Sequence, residues 1–199
     1  MAQVEATAAR VGGLSMKAAM LSIRPEWCAK IANGTKTIEV RKTKPKLETP
    51  FKCYIYCTKN APYLVLGDVF RGNWETEYTT TYGRSREEAD RIWGTMNGKV
   101  IGEFVCNKIF DIGIEISSPD DLPGYPFPGT GLTDKEIMQY LGNGKMGYGW
   151  HISELKIYDK PKELSEFLVA GNQTFDYPPL TKMKRPPQSW CYVEGYTDE

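Results

Sequence analysis

One segment constrains the fold more than any other, the alternating stretch FKCYIYCT at 51–58. Successive side chains of a β-strand point to opposite faces, so this pattern predicts a strand with two different faces. The first face carries the core-like residues Phe51, Cys53, Ile55 and Cys57. The opposite face carries Lys52, Tyr54, Tyr56 and Thr58. That second face is compatible with contact to a base or a sugar, or with the edge of a second apolar layer.

Five further segments have the apolar or alternating patterns of strands, and they lie at 18–23, 36–42, 99–110, 150–158 and 188–194. Gly102 is expected to mark a bulge. Short helices are predicted from Pro25 to a stop at Gly34, and from capping boxes that begin at Ser85 and Thr133. Strands at irregular spacing with short helices between them predict an α+β fold, a small mixed β-barrel with flanking helices.

The composition limits the class of protein. Of 199 residues, 25 are Lys or Arg and 25 are Asp or Glu, which gives zero formal net charge and argues against a histone-like basic coat. The 41% hydrophobic and 12% aromatic content suits a folded core rather than a disordered chain. We expect residues 1–15 to be a flexible leader and residues 16–199 to form a single domain.

The five cysteines show no CxxC spacing, and His151 is the only histidine. This pattern gives little support to a zinc site and predicts reduced thiols in a cytoplasmic protein without metal or cofactor. No stretch reaches the roughly 18 apolar residues of a membrane-spanning helix, so we expect no membrane partner.

The segment Gly34–Arg41, GTKTIEVR, places three charges of mixed sign just after a predicted helix stop. A regular strand would send Thr37, Glu39 and Arg41 to one face, whereas the turn decides the direction of Lys36. Arg offers a fork for a phosphate or a base edge, and Glu accepts from amino groups. A desolvated Lys could also act as a base or nucleophile. The alternative is a solvent-facing strand with ordinary salt bridges.

Residues outside this segment are also candidates. Arg24 precedes the first helix and could reach the same site, with a phosphate at the helix N-terminus. Trp27 either stacks on a base or belongs to the core. His151 is a general base or a hydrogen-bonded structural residue. A basic cluster near the end of the chain either contacts a nucleic-acid backbone or is solvated, and it consists of Lys182, Lys184 and Arg185.

The pattern GxKxxExR, preceded by LSIRPEWCAKIANG, resembles the signature of the ASCH domain over Leu21–Lys42. In size the chain looks like the stand-alone ASCH proteins of bacteria and their phages. The resemblance implies a PUA-like β-barrel with a positively charged cleft beside the first helix, suited to RNA or a modified nucleoside. Residues 59–97 and 118–145 would then be insertions into a minimal domain.

The wider family includes an amidohydrolase that acts on N4-acetylcytidine, and some members are reported as ribonucleases. Lys36 matches the lysine of the amidohydrolase, but Glu39 occupies the position of its threonine, with Thr37 nearby. The resemblance therefore implies binding of RNA or a modified nucleoside or nucleotide. The binding candidates are Arg24, Trp27, Lys36, Glu39, Arg41, Tyr54 and Tyr56.

Two other functions stay open. The first is a metal-independent hydrolase, an amidohydrolase on an N4-acylated cytidine or a ribonuclease, with Lys36, Glu39 and Thr37 as catalytic residues. The second is a protein–protein adaptor in which the insertions carry the function. The sequence decides neither catalysis nor the oligomeric state.

The charge is unevenly distributed along the chain. Seven basic residues and two acidic ones lie between Gly34 and Asn60, a local charge of +5. This distribution argues against an extended polyanionic partner but is compatible with a small, localised one, such as a nucleotide or a few single-stranded residues.

Overall fold

The computed structural model describes residues 17–60, 95–113, 128–142, 144–170 and 180–195. The helices in this part are α1 (Pro25–Ala32) and α2 (Asp134–Leu141). Its strands are β1 (Lys17–Ile23), β2 (Ile38–Arg41), β3 (Phe51–Cys57), β4 (Val100–Cys106), β5 (Ile109–Ile112), β6 (Gly147–His151), β7 (Ser153–Lys162), β8 (Leu168–Ala170), β9 (Leu180–Lys182) and β10 (Trp190–Glu194). The predicted leader, the helix predicted from Ser85 and much of both predicted insertions lie outside these residues.

The strands form a five-stranded sheet in the order β10-β1-β3-β4-β7, a three-stranded sheet in the order β2-β6-β5, and the pair β8-β9. In the larger sheet β1 and β3 are parallel and the other neighbours antiparallel. The mixed α+β class is therefore confirmed. The expected closed barrel is not, because none of these sheets closes on itself within the described residues.

The sheets stay separate because two predicted strands are each broken in two. The segment 99–110 forms β4 and β5, and the segment 150–158 is divided at Ile152 between β6 and β7. At each break the chain passes from one sheet to the other. Gly102 lies at the predicted irregularity, since the β4–β7 register shifts beside it and a Cβ there would lie 2.5 Å from the Lys156 carbonyl oxygen.

Strand β3 has the two faces that its alternation predicts. Phe51, Cys53 and Ile55 lie in a core cluster that also contains Trp150 of the smaller sheet. Tyr54 and Tyr56 lie in a second cluster on the other face. Both tyrosines are buried, and the Tyr54 ring packs edge-on against Phe167 at 4.9 Å between centroids. They belong to a second apolar layer, which agrees with the second of the two roles that the sequence left open for this face.

The cysteines contribute to packing. All five thiols are free, and Cys28, Cys53, Cys57 and Cys106 are buried. Burial raises the pKa of the Cys106 thiol to about 11, far from the range of a reactive thiolate. No group of three or more metal-ligating side chains occurs in the described ranges. None of the helices seen there is long and apolar enough to cross a membrane.

Candidate functional site: a charged cavity

A cavity of about 620 Å³ opens between α1, β2, α2 and the segment that precedes β10. Five charged residues line it, namely Arg24, Lys36, Glu39, Arg41 and Glu136. Apolar and aromatic side chains complete its walls, among them Ile23, Trp27, Val40 and Tyr140. Lys36, Glu39 and Arg41 thus converge on one concave surface.

The Glu39 carboxylate is the centre of this charged group. Its Oε1 lies 2.8 Å from Arg41 Nη2, and its Oε2 lies 3.3 Å from Lys36 Nζ. All three residues are less than 10% exposed. Because one carboxylate neutralises only one of the two cations, the group keeps a net charge of +1 at the wall of the cavity.

Arg41 connects this carboxylate to the larger sheet. Its Nη2 donates to the Ser22 carbonyl at 2.9 Å, and its Nη1 donates to the carbonyl and hydroxyl oxygens of Ser189 at 3.1 and 3.2 Å. The buried Nε has no hydrogen-bond partner among the described residues. One donor of a buried guanidinium on the cavity wall is therefore uncompensated.

The Lys36 ammonium is held by three acceptors. It donates to the carbonyl oxygens of Ile38 and Thr130, at 2.8 and 2.7 Å, and lies 3.3 Å from the Glu39 carboxylate. Two of its three N–H donors are used by these carbonyl oxygens, and the carboxylate partly neutralises its charge. This arrangement connects the segment that precedes α2 to Lys36 in the Gly34–Arg41 segment. It does not favour Lys36 as a free base or nucleophile.

Thr37 does not share the face of Glu39 and Arg41. Strand β2 begins only at Ile38, and the backbone N–H groups of Thr37 and Ile38 both donate to the Gly129 carbonyl, at 2.8 and 2.9 Å. The Thr37 side chain is exposed and outside the cavity lining. The expected common face of the three residues is wrong in this respect.

Helix α1 contributes Arg24 and Trp27. The Arg24 side chain is 69% exposed, lies 4.0 Å from Glu26 and lines the cavity at its mouth. The half-buried Trp27 side chain packs against the first core cluster, as one of its two predicted roles requires, and it also lines the cavity. The Lys36 ammonium lies 5.4 Å from its ring centroid.

Helix α2 supplies residues that the sequence did not single out. Glu136, Gln139 and Tyr140 line the cavity, whereas Ile137 and Leu141 are buried on the other side of the helix. The spacing i, i+3, i+4 places the first three on one face. Burial raises the pKa of the Tyr140 hydroxyl, and the interactions of this hydroxyl with Arg41 and Ser189 oppose part of that rise. The amphipathic pattern of α2 was the feature of the sequence that could have identified these residues.

Other predicted candidates lie elsewhere. His151 is hydrogen-bonded through Nδ1 to Asn107 Oδ1 at 2.7 Å, which agrees with a structural role, and it does not line the cavity. The cluster of Lys182, Lys184 and Arg185 is exposed and outside the lining. Asn60, Gln188 and Ser189 do line it, although nothing in the sequence pattern marks them.

Solved structures with a similar fold come from Zymomonas mobilis. Its ASCH protein matches 88% of this chain and 87% of its own, with 16% identity and a TM-score of 0.50. The chain has the ASCH fold. Crystal structures of a Tyr-to-Phe and a Ser-to-Ala variant of that protein match this ASCH fold with TM-scores of 0.51. They also share 16% identity with the chain and cover 88% and 90% of it, and 89% and 90% of their own chains.

The fold therefore agrees with the resemblance seen in the sequence. No protein-family model and no curated protein matches the chain.

Proposed function

We propose that the protein binds RNA, or a modified nucleoside or nucleotide, in the cavity. The observation that carries this proposal is the convergence of Lys36, Glu39 and Arg41 on a cavity that also has the aromatic side chains of Trp27 and Tyr140. The ASCH fold supports a function related to nucleic acids or nucleosides.

The size and the walls of the cavity suit a nucleoside. Small-molecule sites usually enclose about 300–1,000 Å³, and the volume of about 620 Å³ lies within that range. Trp27 and Tyr140 offer aromatic faces for a base, and stacking contributes about 1–3 kcal/mol per base. Ile23 and Val40 add apolar surface.

The polar groups suit the remainder of such a ligand. Arg24 at the mouth and the net positive charge of the buried group favour a phosphate or another electron-rich substituent. Asn60, Gln139 and Gln188 line the cavity with side-chain amides that both donate and accept, as the edges of bases require.

Part of the predicted second insertion belongs to this site. Leu132 and the cavity face of α2 form one wall, and Lys36 holds the preceding segment through the Thr130 carbonyl. Because residues 128–142 contribute to the wall of the cavity, they favour a ligand site over a separate surface for a protein partner.

Isothermal titration calorimetry with the four ribonucleosides, their 5′-monophosphates and N4-acetylcytidine tests the proposal. We expect binding of at least one ligand, and about tenfold weaker binding in Arg24→Ala if its charge contacts the ligand. Arg185→Ala is the matched control, because Arg185 is also exposed but lies outside the cavity lining. Absence of binding to any of these ligands and to short single-stranded RNA would contradict the proposal.

Chromatography of the same mixtures shows whether any bound ligand is converted. Product formed by the wild type and lost in a Tyr140→Ala variant would place a hydrolase in the cavity. Unchanged ligand in every mixture would leave binding as the function.

A further inference from the structure

Three exposed lysines, Lys42, Lys44 and Lys46, follow directly after β2. We call them the lysine strip. Within the described residues none of the three forms an ion pair. The charges of the strip are therefore uncompensated, in contrast to the buried cations Lys36 and Arg41, which share Glu39.

The strip begins at the cavity. The Lys42 ammonium lies 5.3 Å from the ring centroid of Tyr140, which lines the cavity. The Lys44 ammonium lies 4.8 Å from the ring centroid of Tyr148 on β6. The strip thus places lysine charges over two aromatic rings, and the first of these rings belongs to the cavity wall.

The backbone of the strip is anchored rather than loose. Trp190 Nε1 donates to the Thr43 hydroxyl at 2.9 Å, and the Lys46 backbone N–H donates to the Tyr192 hydroxyl at 2.8 Å. Pro45 is buried between two exposed lysines. A backbone that is already ordered loses less entropy when a ligand binds, so the strip is preorganised for contact with an anion.

We propose that the lysine strip binds the phosphate backbone of a single-stranded RNA of which one base occupies the cavity. This inference rests on the proposed function and names its ligand class, an RNA strand rather than a free nucleoside. Proteins that bind single strands combine a basic track with aromatic stacking surfaces, and the strip and cavity supply the two side by side. Continuity with a cavity of nucleoside size favours RNA over a membrane surface or an acidic protein.

The experiment compares oligonucleotides with mononucleotides. Fluorescence anisotropy gives the dissociation constants of labelled rA8, rC8 and rU8 at several salt concentrations, and calorimetry gives those of AMP, CMP and UMP. The test variant is Lys42→Gln/Lys44→Gln/Lys46→Gln. We expect it to bind the preferred octamer about tenfold more weakly and to change mononucleotide affinity less than about twofold.

The salt dependence gives a second, independent readout. Each phosphate contact on a single strand contributes about 0.7 to the slope of log affinity against log salt, so loss of three contacts lowers the slope by about 2. The control is Lys108→Gln/Lys156→Gln/Lys160→Gln, which removes the same charge from exposed positions, two of them on β7. Strand β7 lies at one edge of the larger sheet, whereas β10, whose Trp190 and Tyr192 contact the strip, lies at the opposite edge. The two control positions on β7 are therefore on the far edge of the sheet from the strip.

Three outcomes would overturn the inference. Equal octamer affinity in the wild type and the strip variant is the first, and an equal loss in the control variant is the second. The third is tight binding of heparin or anionic vesicles that depends on the strip while the octamers do not bind. If mononucleotides bind and the strip variant has no effect, only this inference fails. If neither mononucleotides nor octamers bind, the proposed function itself fails.

Discussion

At the scale of single residues, the site depends on one carboxylate shared between two cations. Both carboxylate oxygens of Glu39 contact cations, and this pairing orients Arg41 and Lys36. The three charges could be read from the sequence, but two of the groups that hold them, the Thr130 carbonyl on Lys36 and Ser189 on Arg41, lie far away in the chain.

Lys36 gives the sharpest residue-scale prediction. Lys36→Met keeps most of the side-chain volume but removes the ammonium, which leaves the Glu39 carboxylate and the Thr130 carbonyl without this partner. Glu39 keeps Arg41 as its partner, so no buried charge is left unpaired, and the cost comes from the Ile38 and Thr130 carbonyl oxygens that lose their donor. We therefore expect a loss of about 1–3 kcal/mol in the free energy of unfolding.

Urea denaturation followed by circular dichroism measures that loss. Lys135→Met, at an exposed position of α2, is the control and should stay within about 0.5 kcal/mol of the wild type. A Lys36→Met protein as stable as this control would mean that Lys36 is not a structural anchor and would reopen its assignment as a base.

Thr37 shows why a strand pattern alone misplaced one candidate. Alternation assigns Thr37 to the face of Glu39 and Arg41 only if the strand extends that far. The strand begins one residue later, at Ile38, and the Thr37 N–H donates to the Gly129 carbonyl, 92 residues further along the chain. Local periodicity contains no information about such a distant partner.

At the scale of elements, the helices were predictable because their signals are local. Pro25 opens α1, and the capping box of Thr133 and Glu136 opens α2, as the sequence indicated. Strand ends and sheet membership were less predictable, because the separation of β4 from β5 depends on pairing with different partners. The cavity face of α2 was missed for a related reason, since periodicity shows a polar face but not what it meets.

The cap of α2 carries the element-scale prediction. The Thr133 hydroxyl accepts from the Glu136 N–H, and the Glu136 carboxylate accepts from the Thr133 N–H at 2.8 Å. Thr133→Ala removes the side-chain half of this exchange and should lower the free energy of unfolding by about 1 kcal/mol. Thr133→Ser keeps the hydroxyl, so thermal denaturation should show a melting temperature near that of the wild type. Equal melting temperatures for the alanine and serine variants would contradict a role for the cap.

At the scale of the whole molecule, Arg41 joins the two larger sheets. It lies on β2 of the three-stranded sheet and donates to Ser22 on β1 and to Ser189 just before β10, both in or beside the five-stranded sheet. The cavity lies at this junction. The residues that shape the cavity therefore also hold the sheets together, and ligand binding should be linked to the stability of their contact.

Arg41→Lys tests this linkage, because lysine keeps the charge but lacks the planar fork that reaches Ser22, Ser189 and Glu39 together. We expect a loss of about 2–3 kcal/mol in the free energy of unfolding, the range for hydrogen bonds to charged groups. Hydrogen exchange should accelerate most in β2 and its neighbour β6 in the three-stranded sheet, and least in β1 and β3 of the five-stranded sheet. Arg185→Lys, at an exposed position, should leave both measurements unchanged. Uniform acceleration across all strands would show that Arg41 stabilises the molecule as a whole and does not act specifically at the junction.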